Sequence, residues 1–248
     1  MKKLMLFAVA VLFAFATQAQ TVDEIINKYI ENTGGKDKWK ALKSMKTTGK
    51  VKFGGQEFPV TILQTEGGKQ KSFVSVQGME FVIGAFDGTT GWRTNQMNMK
   101  AEKVEAEESE NMKRAAADFP DPFIDYAAKG YSVALEGKEK IEGTDCFKIK
   151  LTKKTQLVEG KEVENVVYYF FDAENYVPLV VRATAQKGPQ KGAVSDTVFS
   201  DYQEVNGLFF PFSMTIKVNG QTGQAITFEK VELDVAVDDK TFALPAGN

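Results

Sequence analysis

The sequence predicts a mainly β protein with helices (α+β): an incomplete antiparallel β-barrel of about eleven strands, with an N-terminal helix and a helical lid. Apolar and polar residues alternate along many short segments, which is typical of strands with one buried face. Glycine-containing turns of hairpin length separate these segments. One long charged segment with helical spacing interrupts them. An antiparallel sheet of this length must curl or close.

Residues 1–19 are predicted to form a secretory signal peptide. Two lysines precede an apolar run from Leu4 to Ala16, and the small residues that follow suit cleavage after Ala19. The run has 13 residues, fewer than the ~20 that a spanning helix needs, and a retained membrane anchor is the alternative. We expect residues 20–248 to form a single soluble domain in the periplasm. No cysteine follows the cleavage site to carry a lipid anchor.

The residue types that the sequence lacks exclude several kinds of catalytic and metal-binding site. The chain has no histidine, which excludes Ser-His-Asp and Cys-His catalysis and removes the commonest metal ligand. Its single cysteine, Cys146, is interpreted as a small strand residue, with a reactive thiol as the alternative. A carboxylate pair could still catalyse, but the 33 acidic residues stand in no recognisable motif. We therefore expect no enzyme, cofactor or metal site, and the net charge of −2 does not favour nucleic acid.

The first predicted element is a helix that begins with a capping box. The Thr21 hydroxyl can accept from the backbone N–H of Glu24, whose carboxylate can reach back. A short helical turn with Trp39 and Leu42 on one side follows the glycines at 34 and 35. We expect both helices to pack against a sheet. The apolar stripe of the first helix consists of Val22, Ile25, Ile26, Tyr29 and Ile30.

Strand patterns begin at Ser44, and glycines at 54–55, 67–68 and 78 mark the first hairpin turns. A short segment around Trp92 precedes the charged interruption. The strands then resume with YSVALEG, DCFKIKLT, ENVVYYFFD, YVPLVVRATA, VSDTVFSDYQEV, LFFPFSMTIKV and QAITFEKVELDV. Because most connections have hairpin length, these segments predict one antiparallel meander.

The interruption spans residues 99–129 and is called the insert below. Its first half is acidic and its end is basic, which is the order that the helix dipole favours. Pro120 and Pro122 end the helix, and a second short helix can run to Gly130. The insert is interpreted as a lid over the open mouth of the curled sheet, with a purely structural cap as the alternative. One helical face would carry Ala101, Val104, Met112, Ala115 and Phe119, interrupted by Glu105 and Glu108.

Large apolar residues should line the concave face of the sheet. Alternation does not distinguish a ligand cavity from a filled core, because both use the same residue types. For a cavity, the predicted ligand contacts are Phe81, Ile83, Trp92, Phe147, Ile149, Phe210, Phe212 and Met214 on the sheet side, and Met112 and Phe119 on the insert.

Several segments resemble the LolA/LolB-like superfamily, in particular outer-membrane lipoprotein-sorting proteins of the Bacteroidetes type. The segments are GGKDKWKALKSMKTTGKV, FDGTTGW, SDYQEVNGLFFP and DDKTFALP, together with the capped helix and the insert. The resemblance implies an incomplete barrel of about eleven strands, lidded by helices, with an apolar cavity for the acyl chains of lipoproteins. It also implies an arginine that holds the lid, for which Arg93 is the spatial candidate.

The function that this resemblance implies is a monomeric periplasmic carrier of lipidated proteins, like the soluble carrier of the superfamily. Burying an acyl chain of ~16 carbons at ~0.8 kcal/mol per CH₂ lowers the cost of crossing water. It does not extract the chain from a bilayer, so an inner-membrane releasing complex and an outer-membrane acceptor would be needed. The alternatives are a binding protein of the same fold for another lipid or apolar small molecule, and a structural envelope module.

Overall fold

The computed structural model describes residues 20–246, so the predicted signal peptide at residues 1–19 lies outside the described residues. The described residues form three α-helices: α1 (Val22–Asn32), α2 (Lys36–Ala41) and α3 (Ala106–Ala115). Short 3₁₀ turns cover Ala116–Asp118 and Asp239–Thr241. None of the helices within residues 20–246 has the length and apolarity needed to cross a bilayer.

The predicted capping box at the start of α1 is confirmed. The Glu24 N–H donates to the Thr21 hydroxyl at 3.2 Å, and the Thr21 N–H donates to the Glu24 carboxylate at 2.8 Å. Ile25, Ile26, Tyr29 and Ile30 form the buried stripe that the spacing predicts. The stripe directs α1 onto the sheet.

Thirteen strands form a single antiparallel sheet. Strands that follow each other in the chain pair with each other, except β6 (Ala101–Lys103) and β7 (Ser132–Ile141), and β1 (Ser44–Phe53) also pairs with β13 (Gln221–Leu233). The strands at the two ends of the order, β6 and β7, do not pair with each other in the described part of the chain, so the sheet is open. The strands are β1 (Ser44–Phe53), β2 (Gln56–Thr65), β3 (Gln70–Val76), β4 (Met79–Phe86), β5 (Gly91–Thr94), β6 (Ala101–Lys103), β7 (Ser132–Ile141), β8 (Thr144–Val158), β9 (Lys161–Asp172), β10 (Pro178–Thr184), β11 (Val194–Val205), β12 (Leu208–Val218) and β13 (Gln221–Leu233).

This architecture confirms the predicted fold class, with two strands more than the expected eleven or so. One difference lies in the insert, where Ala101–Lys103 forms the edge strand β6 and not the start of a helix. β6 pairs with β5, with Trp92 opposite Lys103 and Thr94 opposite Ala101. Pairing with a preformed strand outweighs the local helical spacing at this point.

The two faces of the sheet are covered differently. The face that packs against α1, α2 and residues 121–131 is called the inner face below. On the outer face, the C-terminal segment covers Val82, Ala85 and Trp92, and the Trp92 indole N–H donates to the Phe242 carbonyl at 2.7 Å. The inner face, together with the insert, is therefore the place to look for a ligand.

The outer face also holds the single cysteine. Cys146 is buried with Phe170 and Val180, and its neighbour Phe147 packs on the inner face. Burial raises the pKa of the Cys146 thiol. The thiolate is the reactive form of cysteine, so this environment suits a small packing residue.

Candidate apolar ligand site

One half of the inner face is a filled core. Ile25, Ile26, Tyr29 and Ile30 of α1 and Trp39 of α2 pack there against β8, β9, β12 and β13. Aromatic rings meet edge to face across this contact, as Trp39 and Phe210 do with centroids 5.3 Å apart. Four of the predicted ligand contacts belong to this core: Phe147, Ile149, Phe210 and Phe212.

The other half of the inner face is apolar but only partly covered. Val51, Val60 and Ile226 are buried there. The side chains around them are half-buried, so they still reach open space. This partly covered set is called the upper patch and consists of Phe58, Ile62, Val74, Met214 and Phe228. Met214 is the one predicted ligand contact within it.

A cavity of about 290 Å³ lies between the helical core and β9–β12. Phe199 lines it and pairs with Met214 across the β11–β12 ladder, so the cavity borders the upper patch. Its volume is close to the lower end of the ~300–1,000 Å³ of small-molecule sites. It is lined by Tyr29, Trp39, Met45, Pro120, Asp121, Pro122, Tyr169, Pro178, Val181, Thr197, Phe199, Tyr202, Phe209, Phe210 and Pro211.

Polar groups gather at the side of the cavity that faces the insert. The Tyr29 hydroxyl donates to the Asp121 carboxylate at 2.7 Å, and the Phe123 N–H donates to the same carboxylate at 2.8 Å. Burial raises the pKa of Asp121, and these two hydrogen bonds oppose the shift. Burial, followed by the charge of Asp121, raises the pKa values of Tyr29, Tyr169 and Tyr202.

The insert crosses the open side of the half-barrel and is attached at both edges of the sheet. At one edge, β7 pairs with β8 as far as Thr152, while β8 continues to Val158. Asn111 of α3 completes this exposed edge: its amide donates to the Leu157 carbonyl at 2.8 Å and accepts from the Leu157 N–H at 2.7 Å. α3 therefore takes the place of a neighbouring strand, which removes an edge available for aggregation.

Arg114 strengthens the same attachment. Its guanidinium donates to the Thr155 carbonyl at 2.8 Å and to both oxygens of Glu162 at 2.6 and 2.9 Å. These bonds lower the pKa of Glu162 to about 2. Glu107 adds a further bond, accepting from the Gly160 N–H at 2.8 Å.

At the opposite edge the insert contacts β5 and the turn between β2 and β3. The Gly91 N–H donates to the Ser109 hydroxyl at 3.0 Å, and Ala116 lies directly against Gly68. Arg93, the predicted lid-holding arginine, pairs with Glu108 of α3 at 3.1 Å. Arg93 is exposed and Glu108 is partly exposed, so this ion pair by itself contributes little.

Met112 and Phe119 of the insert line a second cavity of about 290 Å³, next to the β2–β3 turn. Both side chains are half-buried. This cavity is more polar than the first, since Gln64, Lys69 and Asp118 also line it.

Two predicted ligand contacts, Ile83 and Trp92, line neither of the two cavities. A register shift in the β3–β4 pair places Ser72 opposite Gly84 and Phe73 opposite Val82, which leaves Ile83 as the extra residue with 53% exposure. Trp92 is buried in the outer-face cluster beneath the C-terminal segment. Phe81 is half-buried and pairs with Val74 of the upper patch.

Sequence reasoning missed the polar residues of the first cavity. Asp121 stands between two prolines and looked like part of a helix stop. Tyr169 belongs to the uniformly apolar run VVYYFF, where the alternation that assigns a face is lost. The pairing of Tyr169 with Ile149, which lies in the filled core, is what assigns it to the inner face.

A larger surface hollow, about 580 Å³, lies between α1 and residues 123–128. Asn27, Glu31, Lys36 and Asp125 line it beside apolar side chains. Lys36 and Lys40 bind Asp125 at 2.5 and 2.8 Å, so charged groups already pair at its rim. The smaller cavity on the inner face is the better candidate for an apolar ligand.

A family model described as "-like: Uncharacterized protein" matches residues 121–246, just over half of the 248 residues. The chain belongs to this family. The match begins at Asp121 and includes β7–β13, which carry most of the lining of the first cavity. A comparison with curated proteins gave no match.

Solved structures share the fold over nearly the whole chain. A DUF1329 family protein from Desulfovibrio piger has a TM-score of 0.57 and 14% identity, covering 91% of this chain and 98% of its own. A LolA superfamily protein from Nitrosomonas europaea has a TM-score of 0.54 and 12% identity, covering 91% and 98%. A putative outer membrane lipoprotein-sorting protein domain from Vibrio parahaemolyticus has a TM-score of 0.53 and 13% identity, covering 88% and 94%. The fold is LolA-like, as the sequence motifs predicted.

Proposed function

We propose that this protein is a non-catalytic periplasmic carrier that shields the acyl chains of lipoproteins during transport toward the outer membrane. The observation that carries the proposal is the apolar inner face, half filled by helices and half left as the upper patch beside a 290 Å³ cavity. The LolA-like fold supports it, as does the description of the Vibrio parahaemolyticus structure as a lipoprotein-sorting domain.

The free energy of burying an acyl chain favours a protein that shields the chain from water. Each CH₂ moved from water to an apolar surface gains ~0.8 kcal/mol. A chain that leaves a bilayer gains almost nothing, because it moves between two apolar media. The protein would therefore receive its cargo from a releasing complex and pass it to an acceptor at the outer membrane.

Native mass spectrometry of the protein purified from the cell envelope tests the proposal, combined with binding of an apolar naphthylamine fluorophore. Added masses that match acylated proteins or peptides support the carrier. Added masses that match another lipid favour the alternative, a binding protein of the same fold for a different envelope lipid. A bare protein mass together with no fluorophore binding contradicts both and leaves a structural envelope module.

A further inference from the structure

We propose that the first cavity is the polar end of the ligand site, and that it selects an acyl ligand with an uncharged hydrogen-bonding group, a hydroxyl or an amide, over a free carboxylate or phosphate. This inference rests on the proposed function, since it names the ligand class of that same site. Four side chains with polar ends line the cavity on the side of the insert and α1: Tyr29, Asp121, Tyr169 and Tyr202.

The Asp121 carboxylate has room for a further donor. A carboxylate offers about four acceptor positions on its two oxygens. The Tyr29 hydroxyl and the Phe123 N–H occupy one position on each oxygen. The Lys129 ammonium binds the backbone carbonyl of Asp121 at 2.6 Å and not its carboxylate. A ligand donor can therefore share the carboxylate without displacing a protein group.

Tyr169 supplies the complementary group. Among residues 20–246 its hydroxyl forms no hydrogen bond and is not sealed from solvent, whereas the Tyr202 hydroxyl donates to the Pro178 carbonyl at 2.6 Å. Tyr169 is fixed in place by its ring, which meets Phe123 edge to face at 4.7 Å and stacks on Phe171 at 6.1 Å. A rigid hydroxyl that lines the cavity and has no protein partner is a ready partner for a ligand, because a ligand that covers it must replace its hydrogen bond to water.

The charges around the cavity disfavour an anion. Asp121 is the one charged residue among the described residues that line it. The nearby Asp118 binds Lys153 at 2.7 Å, so that lysine is already paired. A ligand carboxylate or phosphate would meet the Asp121 charge with no cation among the lining residues, since the Lys129 ammonium on the Asp121 carbonyl lies outside the lining. Such a contact costs free energy in a site of low dielectric. A hydroxyl or amide can donate to Asp121 and accept from Tyr169.

The apolar remainder of such a ligand has a continuous path out of the cavity. Phe199 and Thr197 line the cavity, and their partners on β12 are Met214 and Ile216. Met214 belongs to the upper patch. The methylene chain would therefore run from Tyr169 along β11 and β12 toward the upper patch.

The test measures displacement of the naphthylamine fluorophore by monolauroylglycerol and by laurate at pH 7. The two lipids have the same acyl chain, which ends in hydroxyl groups in the first and in a carboxylate in the second. Wild-type protein should bind the glyceride more tightly than laurate. Tyr169→Phe should weaken glyceride binding by roughly 3- to 10-fold, the loss of one hydrogen bond, and leave laurate unchanged. Asp121→Asn should bring the two affinities closer by improving laurate. Tyr168→Phe, on the neighbouring residue that packs in the outer-face cluster, is the matched control and should change neither.

The outcomes separate the two proposals. If the fluorophore does not bind wild-type protein, the carrier function itself fails. If it binds and both lipids displace it equally in wild type and in Tyr169→Phe, the carrier stands and the polar end is refuted. A single cooperative thermal transition well above the assay temperature in each variant confirms that the affinities are compared between folded proteins.

Discussion

The contact between the insert and the β2–β3 turn can be isolated with two adjacent glycines. Gly67 and Gly68 have φ values of +84° and +81°, so alanine at either position costs roughly 1–2 kcal/mol of backbone strain. A Cβ at Gly67 would meet nothing within 4 Å, whereas a Cβ at Gly68 would lie 2.1 Å from the Ala116 Cβ and 2.6 Å from its Cα. Gly68→Ala must therefore displace the insert, and Gly67→Ala must not.

The magnitude follows from that geometry. Overpacking typically costs ~1–3 kcal/mol, so Gly68→Ala should destabilise the protein by roughly 2–5 kcal/mol and Gly67→Ala by roughly 1–2 kcal/mol. Urea unfolding measures both values. Amide exchange should rise in residues 106–118 of Gly68→Ala and stay at the wild-type level in Gly67→Ala. Equal destabilisation and equal exchange in the two variants would show that the insert does not rest on this turn.

Three further predictions concern the insert and its buried carboxylate. Asn111→Ala removes two hydrogen bonds of ~0.5–1.5 kcal/mol each, so amide exchange in α3 should rise roughly 5- to 150-fold, whereas the exposed control Lys113→Ala should change it little. Met112→Ala combined with Phe119→Ala should reduce fluorophore binding while changing the melting temperature little; a large stability loss with binding unchanged would mean that both fill a fixed core. Burial raises the pKa of Asp121, so the folded protein binds the carboxyl proton more tightly than the unfolded chain does. The contribution of Asp121 to the free energy of unfolding therefore falls as the pH rises through the folded pKa. Asp121→Asn should therefore gain stability relative to wild type between pH 4 and pH 7, and a constant difference in urea unfolding would contradict the assignment.

Helix caps and hairpin turns could be predicted from the sequence, because each depends on residues only a few positions apart. The capping box at Thr21 and Glu24 needs only contacts within one helical turn, and the structure shows both bonds. The hairpin glycines are also local, because a positive φ at Gly55 or Gly78 is required by the turn itself. The meander follows from these turns, because each hairpin turn makes the two strands that it joins pair with each other.

Features that depend on distant partners were not predictable in the same way. Ile83 follows the alternation of Phe81, yet one extra residue in β4 relative to β3 moves it to solvent. Trp92 looked like a ligand contact, but the outer face is covered by the C-terminal segment, whose Phe242 lies 150 residues away. Neither the register shift nor that packing leaves a signal in the neighbouring sequence.

The interior combines two requirements that conflict in a carrier. Stability needs closely packed apolar groups, and the helix-filled half of the inner face provides them around Tyr29, Trp39 and Phe171. Ligand exchange needs apolar surface that is covered without being filled, and the upper patch meets that need. Hydrogen bonds and ion pairs, many of them accessible to solvent, attach α3 to β5, β8 and β9, and such bonds exchange with water at low net cost. Changes in the upper half can therefore alter binding while the folded core stays intact, which is why paired measurements of affinity and stability distinguish its roles.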